Sequence, residues 1–300
     1  MTASPRRIGL VFGLTCMIWG TTFVALKIGL NGTPPIFGSA LRHLLGSIIL
    51  FGVVRYRHLV VPMTSLAVKQ YLMVGLLNFS LSYSLTYSGT QFIYSNVSAL
   101  LWSTIPITTA ILAHFTLTDE HLTLMKGGGI LVGFCGVTLI FAGYGFGQSQ
   151  NLSLGMSLVL LAVLAGTWPA IYVKRSGNHP NPIVLNAVAT AIGGSVSLVV
   201  ALIFEDTASM VWNQTTIGVI VYLAIFGTAI AWVAYYYLLQ YIEVVQVSFI
   251  GFIAPIIATF VGVIVLGEKL SPVVYLGAFL VLFGIYLTDY KRYRALLIRS

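Results

Sequence analysis

Long apolar runs fill almost the whole chain and leave few positions for charged residues. Ten such runs, each of roughly 20 residues, follow one another along the 300 positions. Charged residues make up 7% of the chain and hydrophobic residues 58%, whereas a soluble domain carries about a quarter of its residues as charges. Because about 20 consecutive apolar residues cross the hydrocarbon core as a helix, the pattern predicts a membrane protein.

We predict an all-helical polytopic protein with ten transmembrane helices joined by short connections. Lipid cannot hydrogen-bond free backbone groups, so only helices or a closed barrel can span a membrane. The sequence lacks the alternating ten-residue strands that are typical of a barrel. The predicted spans are residues 8–30, 36–54, 69–88, 93–115, 124–143, 153–173, 182–204, 216–238, 244–266 and 272–289.

Basic residues are distributed unequally between the two predicted sides of the membrane. If Arg6 and Arg7 hold the N-terminus in the cytoplasm, twelve of the fifteen Lys and Arg residues are cytoplasmic. Lys27 and Lys269 then lie outside, and Arg42 lies within a span. This is the positive-inside pattern, and it accounts for the net charge of +8 without a basic stripe for nucleic acid. We predict a multi-pass protein of the cytoplasmic (inner) membrane, with both termini cytoplasmic.

The two halves of the sequence resemble each other weakly. Each half holds five predicted spans, and because five is odd the second half must enter the membrane in the opposite orientation. Duplicated halves of inverted topology are typical of secondary transporters, so we divide the chain into a first repeat, 1–148, and a second repeat, 149–300. The matching segments are Gly20-Thr21 with Gly166-Thr167, Pro34 with Pro180, Ile105-Pro106 with Ala254-Pro255, and Glu120-His121-Leu122 with Glu268-Lys269-Leu270.

Several short motifs occur in a fixed order along nearly the whole chain. They are Trp19-Gly20-Thr21-Thr22-Phe23, Lys27, Pro34-Pro35, Arg42, Pro255 and Leu266-Gly267-Glu268. In these motifs the chain resembles the drug/metabolite transporter superfamily, and specifically its EamA-type members. The resemblance implies two inverted five-helix repeats, a central cavity and alternating access. It also implies transport of small organic solutes, amino acids and related metabolites among them, without fixing the substrate.

Arg42 is the most informative single residue, because a cation in the middle of a membrane costs a few kcal/mol. One interpretation makes it the partner of a solute carboxylate, bound through two hydrogen bonds. The other is structural: Arg42 bonds backbone carbonyls or a tyrosine, or extends towards the interface. His43 points about 100° away around the helix and is typical of a packed histidine. No carboxylate is predicted at mid-membrane, which argues against a strongly proton-driven pump.

Polar and aromatic residues within the spans complete the candidate binding site. Residues four apart share a helix face, so pairs such as Asn78 and Ser82, or Trp232 and Tyr236, could form a wet or aromatic wall. Bonding between helices and aromatic belts at the membrane interface are the alternatives. The predicted substrate-binding residues are Arg42, Asn78, Ser82, Tyr83, Asn96, Trp102, Trp168, Tyr172, Trp232, Tyr236 and Gln246.

Three residues are candidates for gating. Lys27 lies near the outer end of the first span, where it either extends to the interface or helps to close an outer gate. Pro106 and Pro255 occupy matched positions within spans, where proline removes a helix hydrogen bond. They are either hinges or elements that shape the bundle.

These observations favour a secondary transporter that exports an amino acid or related metabolite by alternating access. A passive channel is the alternative, and an integral-membrane enzyme is a further one. A channel would need a filter loop or an oligomeric ring, and an enzyme would need clustered acids or histidines. We expect no cofactor and no metal. The expected partners are a small solute and membrane lipids, with no nucleic acid and with the oligomeric state left open, a monomer included.

Overall fold

The computed structural model describes residues 4–141, 151–177, 180–257 and 272–288, and it is all-helical there. Within these ranges ten helices follow one another with short connections. Their Pro residues stand mostly at the first helical turn, where a missing N–H costs nothing. Helices α1 to α10 are Pro5–Gly29, Pro35–Tyr56, 65–90, 95–116, Leu124–Phe141, Leu152–Arg175, Pro182–Phe204, Gln214–Leu238, 244–257 and Pro272–Thr288.

Length and composition qualify six of the described helices to cross a membrane. These are α1, α2, the Val97–Thr116 part of α4, α6, α7 and α8. Shorter apolar segments lie in α5, α9 and α10. The prediction of an all-helical polytopic membrane protein is confirmed at this level. The other described boundaries agree with the predicted spans to within a few residues, and the predicted ends of the fifth, ninth and tenth spans, residues 143, 266 and 289, lie outside the described residues.

Four helices depart from regular α geometry near their middles. A π-helix occupies Met73–Ser82 within α3, and another occupies Leu223–Ile230 within α8. Helix α4 consists of Ser95–Trp102 and Ile105–Thr116 joined by a turn, and α9 is interrupted by a turn at residue 249. Pro106 therefore stands in the first turn of a helical segment, where proline is tolerated. The interruption of α4 is the turn that precedes this segment.

Glycines let helices α5 and α10 approach closely. A Cβ on Gly129 would lie 2.6 Å from the carbonyl oxygen of Gly284, and one on Gly136 would lie 2.6 Å from that of Gly277. Small residues at such positions permit backbone contact between membrane helices. Because rising numbers in α5 face falling numbers in α10, the two helices run antiparallel.

Helices α2, α3 and α7 form a second tightly packed group, and α2 carries Arg42. The Ser47 hydroxyl on α2 donates to the carbonyl of Ala187 on α7, at 3.0 Å. A Cβ on Gly75 of α3 would lie 2.9 Å from the carbonyl of Ala189. The face of α2 that carries Arg42 is thereby turned towards α3 and α8.

Candidate functional site

A cavity of about 90 Å³ lies between helices of both halves of the chain. Its described walls come from α1 to α4, α6, α8 and α9, and they are mainly apolar and aromatic. Ligand pockets usually measure about 300–1,000 Å³, so this cavity is contracted. Its lining residues are Trp19, Thr22, Phe23, Leu26, Arg42, Tyr83, Thr86, Ala99, Trp102, Ile105, Gly166, Thr167, Trp232, Tyr235, Val247, Ser248, Ile250, Gly251, Ala254 and Pro255.

Arg42 is the one charged side chain among these lining residues, and it is only 2% exposed. Its Nε donates to the hydroxyl of Thr228 at 3.0 Å, and Nη1 donates to that of Tyr87 at 3.2 Å. The guanidinium carbon lies 4.8 Å from the centre of the Tyr83 ring, a cation–π contact. Within the described ranges no carboxylate lies within ion-pair distance of Arg42. The site is therefore positively charged, and the charge is held by neutral groups.

Trp232 lies at the centre of a cluster of aromatic side chains that line the same cavity as Arg42. Its ring centre lies 5.0 Å from that of Trp19 and 5.1 Å from that of Tyr235, in edge-to-face arrangements. Such arrangements suit the positive edges and negative faces of aromatic rings. The indole N–H of Trp232 donates to the Tyr83 hydroxyl at 2.8 Å. The bond joins Trp232 to Tyr83, whose ring contacts the Arg42 guanidinium, so charge and aromatic wall form one unit.

Asn78 and Ser82 face helix α6 behind the cavity wall. The Ser82 hydroxyl donates to the carbonyl of Ala162 at 2.7 Å, which joins α3 to α6. A Cβ on Gly166 would lie 3.2 Å from Asn78 Oδ1. Asn78 is buried, and neither atom of its amide has a hydrogen-bond partner in the described part of the chain. Neither residue lines the cavity.

The remaining predicted binding residues lie outside the cavity wall or outside the described side chains. Trp168 and Tyr172 are half-buried on α6, and Tyr236 packs against Trp232 at 6.1 Å between ring centres. Gln246 accepts the backbone N–H of Glu243 at 3.2 Å and so caps α9. Asn96 belongs to α4, but its side chain lies outside the described part of the structure.

Lys27 and Lys174 cap corresponding connections in the two halves. Lys27 Nζ donates to the carbonyls of Thr90 and Ile93 after α3, at 2.7 and 2.8 Å. Lys174 Nζ donates to the carbonyls of Leu239 and Ile242 after α8, at 2.9 and 2.8 Å. Carbonyls at a helix end lack partners within the helix, and a cation satisfies them. We call these two arrangements the lysine clamps.

Two carboxylates cap helix starts that belong to the other half of the chain. Glu120 accepts the backbone N–H groups of Val244 and Val245 at 2.9 and 3.4 Å. Glu205 accepts those of Ile36 and Phe37 at 2.9 and 2.8 Å. The start of a helix carries partial positive charge, so both contacts are favourable. Each ties one half of the molecule to the other.

An ion pair lies beside the Glu120 cap. Lys126 Nζ lies 2.7 Å from a carboxylate oxygen of Glu243, the residue that precedes α9. Burial raises the pKa of the Glu120 carboxyl above its usual range, nearby Glu243 adds to the rise, and Lys174 and the two backbone N–H groups oppose it. We call Glu120, Glu243, Lys126 and Lys174 the end cluster. It fastens the α8–α9 connection.

Several site residues could not be selected from sequence pattern alone. Thr228 and Tyr87, which hold Arg42, are ordinary polar residues of α8 and α3. Trp19 and Tyr235 line the cavity as well, and the signal that could have selected them is their place in an aromatic-rich, mid-helix stretch. For Glu205 the only signal was that it follows an apolar run, whereas Glu120 also belongs to a segment that matches Glu268-Lys269-Leu270 in the other half.

Comparisons with known proteins agree over almost the whole length. A family model, the EamA-like transporter family, matches residues 7–142 and 153–289. The uncharacterized transporter YoaV of Bacillus subtilis (strain 168) is 29% identical over 276 residues, covering 91% of this chain and 94% of YoaV. An S-adenosylmethionine/S-adenosylhomocysteine transporter of Chlamydia muridarum is 26% identical over 307 residues, covering 97% of this chain and 93% of its own. A solved crystal structure shares the fold, with a TM-score of 0.81 at 18% identity over 97% of this chain and 99% of that chain.

Proposed function

This chain belongs to the EamA-like transporter family, and from that premise we propose that it is a secondary transporter for a small organic carboxylate. An amino acid or a related metabolite is carried across the cytoplasmic membrane by alternating access, in the direction of export. Both termini lie in the cytoplasm. The family makes the transporter role firm, and the solute, direction and mechanism are our proposal.

The observation that carries the proposal is the state of Arg42. Its charge faces the cavity, it is held by two hydroxyls and one ring, and no described acid neutralises it. A buried charge without an opposite partner is costly, and a charge-assisted bidentate bond to a carboxylate is among the strongest interactions available to it. The solute supplies the missing negative charge.

The aromatic wall supports a solute with a flat or apolar body. Trp19, Trp102, Trp232 and Tyr235 line the cavity around Arg42, and aromatic side chains bury large flat surfaces. The Chlamydia relative is named for S-adenosylmethionine and S-adenosylhomocysteine. Both of those compounds carry an amino-acid carboxylate and a flat purine ring, which are the two features that this wall would bind.

Matched features of the two halves support two inverted five-helix repeats, 1–148 and 149–300. The lysine clamps occupy corresponding connections, and the π-helices occupy corresponding places in α3 and α8. In the sequence repeat Gly129 matches Gly277 and Gly136 matches Gly284, so the contact of Gly129 with Gly284 and that of Gly136 with Gly277 exchange. A twofold axis between α5 and α10 requires such an exchange. Inverted repeats that rock about such an axis give alternating access.

The small volume of the cavity supports a state that must widen to load a solute. We propose that the lysine clamp of Lys27 is part of one gate. The turn before Pro106 and the turn at residue 249, six residues before Pro255, provide the bends. Helix breaks of this kind concentrate the dihedral changes that domain movements need.

Solute counterflow in proteoliposomes tests the function. Purified protein is reconstituted with unlabelled phenylalanine or S-adenosylhomocysteine inside, and uptake of trace labelled solute is followed with and without a pH gradient. Choline, a cation without a carboxylate, is the control solute. We expect saturable, transient accumulation of the carboxylates and none of choline.

Other outcomes contradict the proposal in distinguishable ways. Linear flux that unlabelled solute inside does not accelerate indicates a channel. Folded protein that moves none of a broad panel of carboxylates removes the carrier function proposed here. Accumulation that occurs only with a pH gradient keeps the carrier but requires proton coupling.

A further inference from the structure

Trp102 holds a hydrogen-bond donor that the described protein does not use. Its ring lines the cavity, and its Nε1 is buried without a hydrogen-bond partner in the described structure. Indole nitrogen is a donor only, and leaving a buried donor unpaired is destabilising. Most buried donors in folded proteins have a partner, so the partner of this one is to be sought in the contents of the cavity.

The second cavity tryptophan provides the contrast. Trp232 spends its indole N–H on the hydroxyl of Tyr83, at 2.8 Å. The two tryptophans therefore share a chemical type and a cavity, but they differ in what remains available to a solute. Trp232 offers a ring alone, whereas Trp102 offers a ring and an N–H.

The Ser and Thr hydroxyls of the wall do not compete as donors, because each donates to a carbonyl of its own helix. Such bonds occur commonly for Ser and Thr in helices. Their oxygens keep lone pairs and can accept from a solute N–H. The four bonds are Thr22 to the carbonyl of Trp19 at 2.9 Å, Thr86 to Ser82 at 2.8 Å, Thr167 to Val163 at 2.7 Å and Ser248 to Val245 at 2.6 Å.

Trp102 lies close to two other helices, to α6 through its side chain and to α9 through its backbone. A Cβ on Gly166 of α6 would lie 3.3 Å from its Cη2 atom, and a Cβ on Gly251 of α9 would lie 3.4 Å from its backbone carbonyl. Trp102 is also the last residue before the turn in α4. Trp102 thus lies where α4, α6 and α9 meet, with its ring on the cavity wall and its Nε1 without a partner in the described protein.

We propose that Trp102 is a specificity-determining residue whose indole N–H binds a second acceptor on the solute, apart from the carboxylate bound by Arg42. The inference rests on the proposed function. The cavity then prefers carboxylates that carry a second acceptor, such as a ring nitrogen, a carbonyl or a hydroxyl, over purely apolar carboxylates of the same shape. A site built to bond a solute group discriminates against analogues that lack it.

A matched set of four ligands tests the inference. They are 3-phenylpropionate and the three isomeric 3-pyridylpropionates, which have nearly the same shape. Each pyridyl compound adds one acceptor, a ring nitrogen, at a different position. Binding of each to purified protein is measured by competition against a labelled carboxylate that the counterflow assay has identified. We expect at least one pyridyl isomer to bind roughly tenfold more tightly than 3-phenylpropionate, as one hydrogen bond provides.

Variants separate the donor from the ring. Trp102→Phe keeps an aromatic ring and removes the N–H, so it is expected to abolish the preference while 3-phenylpropionate still binds. Trp232→Phe is the matched control: it removes an N–H already spent on Tyr83, and the preference is expected to remain even if both affinities fall. Trp102→Leu provides a second donor-free variant if Trp102→Phe folds poorly.

The outcomes distinguish this inference from the proposed function. Equal binding of all four ligands to the wild type overturns the role of Trp102 without needing any variant, and so does a preference that survives Trp102→Phe or Trp102→Leu. In both cases carboxylate binding, and with it the proposed function, still stands. Wild-type protein that is folded and binds no carboxylate removes the proposed function itself.

Discussion

Arg42 and Glu120 are both buried charged side chains, but their surroundings differ. Both oxygens of Glu120 accept backbone N–H groups at the start of α9, and Lys174 lies close enough to influence the carboxylate. Arg42 has only neutral partners, and it faces the cavity. Glu120 has backbone donors and a nearby cation inside the protein, whereas Arg42 has no opposite charge among the described residues.

On the proposed function, the difference separates a charge that holds helices together from one that binds a solute. Loss of a matched buried charge leaves its partners unsatisfied and destabilises the fold. Loss of an unmatched buried charge also removes its desolvation penalty, so the net effect on stability is small. Measurements of stability and of affinity on the same variants therefore test the comparison directly.

The largest expected effect is on affinity, in Arg42→Met. Removing the guanidinium removes two charge-assisted hydrogen bonds to the solute carboxylate, and we expect roughly 100-fold weaker binding. The free energy of unfolding is expected to change by about 1 kcal/mol or less, because the hydrogen bonds lost by Tyr87 and Thr228 are offset by removal of the desolvation penalty of the buried cation. Competition binding and thermal unfolding in detergent give the two values.

Arg42→Lys is the control, because it keeps the charge and loses the planar two-pronged geometry. We expect intermediate affinity. Unfolded or unexpressed Arg42→Met protein, with Arg42→Lys behaving normally, would assign Arg42 to structure and remove the contrast with Glu120.

The next effect is on stability, in Glu120→Ala. Two backbone N–H groups at the start of α9 lose their acceptor in a buried setting, and we expect a loss of about 2 kcal/mol. Glu120→Gln keeps one acceptor oxygen and is expected to lose about half of that. Affinity for the solute, measured below the unfolding temperature, is expected to change little. Stability equal to that of the wild type in Glu120→Ala would argue against the cap.

Smaller losses are expected from the lysine clamps. Each of the variants Lys27→Met and Lys174→Met removes the hydrogen-bond donor of the carbonyl oxygens in its clamp. We expect about 1 kcal/mol of destabilisation in each variant. If the clamps are equivalent parts of inverted repeats, the two losses are expected to be similar. A loss in one variant and none in the other, measured by thermal unfolding, would show that the two ends are held in different ways.

A dependence on pH sharpens the assignment of Glu120. Because burial raises the pKa of its carboxyl above that of the unfolded chain, the folded protein binds more protons between those two pKa values. Stability from this group therefore falls as pH rises through that interval. In thermal unfolding from about pH 4 to about pH 7, the wild type is expected to lose more stability than Glu120→Gln, which does not titrate there. Parallel curves would contradict the assignment.

The smallest effect is expected at the edge of the end cluster. Lys126 and Glu243 form a 2.7 Å ion pair with side chains that are 20% and 40% exposed. Exposed pairs contribute about 0–1 kcal/mol, and salt screens them. Lys126→Met is expected to lower stability by less than either lysine clamp variant. In high salt the variant and the wild type are expected to be equally stable. A larger, salt-independent loss would place this pair with the buried contacts instead.

The helices could be predicted from sequence because the membrane imposes a simple requirement. A span must be apolar and long enough, and this is visible in the composition of α7, whose predicted range is the one observed. The turn in α4 and the two π-helices were not visible. They lie beside contacts between residues far apart in the chain, such as Gly75 with Ala189 and Gly166 with Trp102, which no local pattern reveals.

The candidate site could be predicted in part, by residue type. Arg42, Trp102 and Trp232 line the cavity as an intramembrane cation and mid-helix aromatics suggested. Trp168 was selected on the same grounds but lies elsewhere on α6. Spacing by four assigns faces only where the helix is a regular α-helix. Thr228, which holds Arg42, is 186 residues away in the chain, and no local pattern connects the two.

The π-helix Met73–Ser82 has a consequence for the residues that follow it. A π-helix places more residues in each turn than an α-helix does, and each residue of an α-helix advances about 100° around the axis. Rewinding this segment by one residue would swing Tyr83 and Tyr87 out from under Arg42, while Gly75, before most of the wide turns, stayed against α7. The π-helix thus sets the faces of the two ends of α3 independently. A change between the two windings would make or break the contacts of Tyr83 and Tyr87 with Arg42 by rotating one end of α3 about its axis, without displacing the helix.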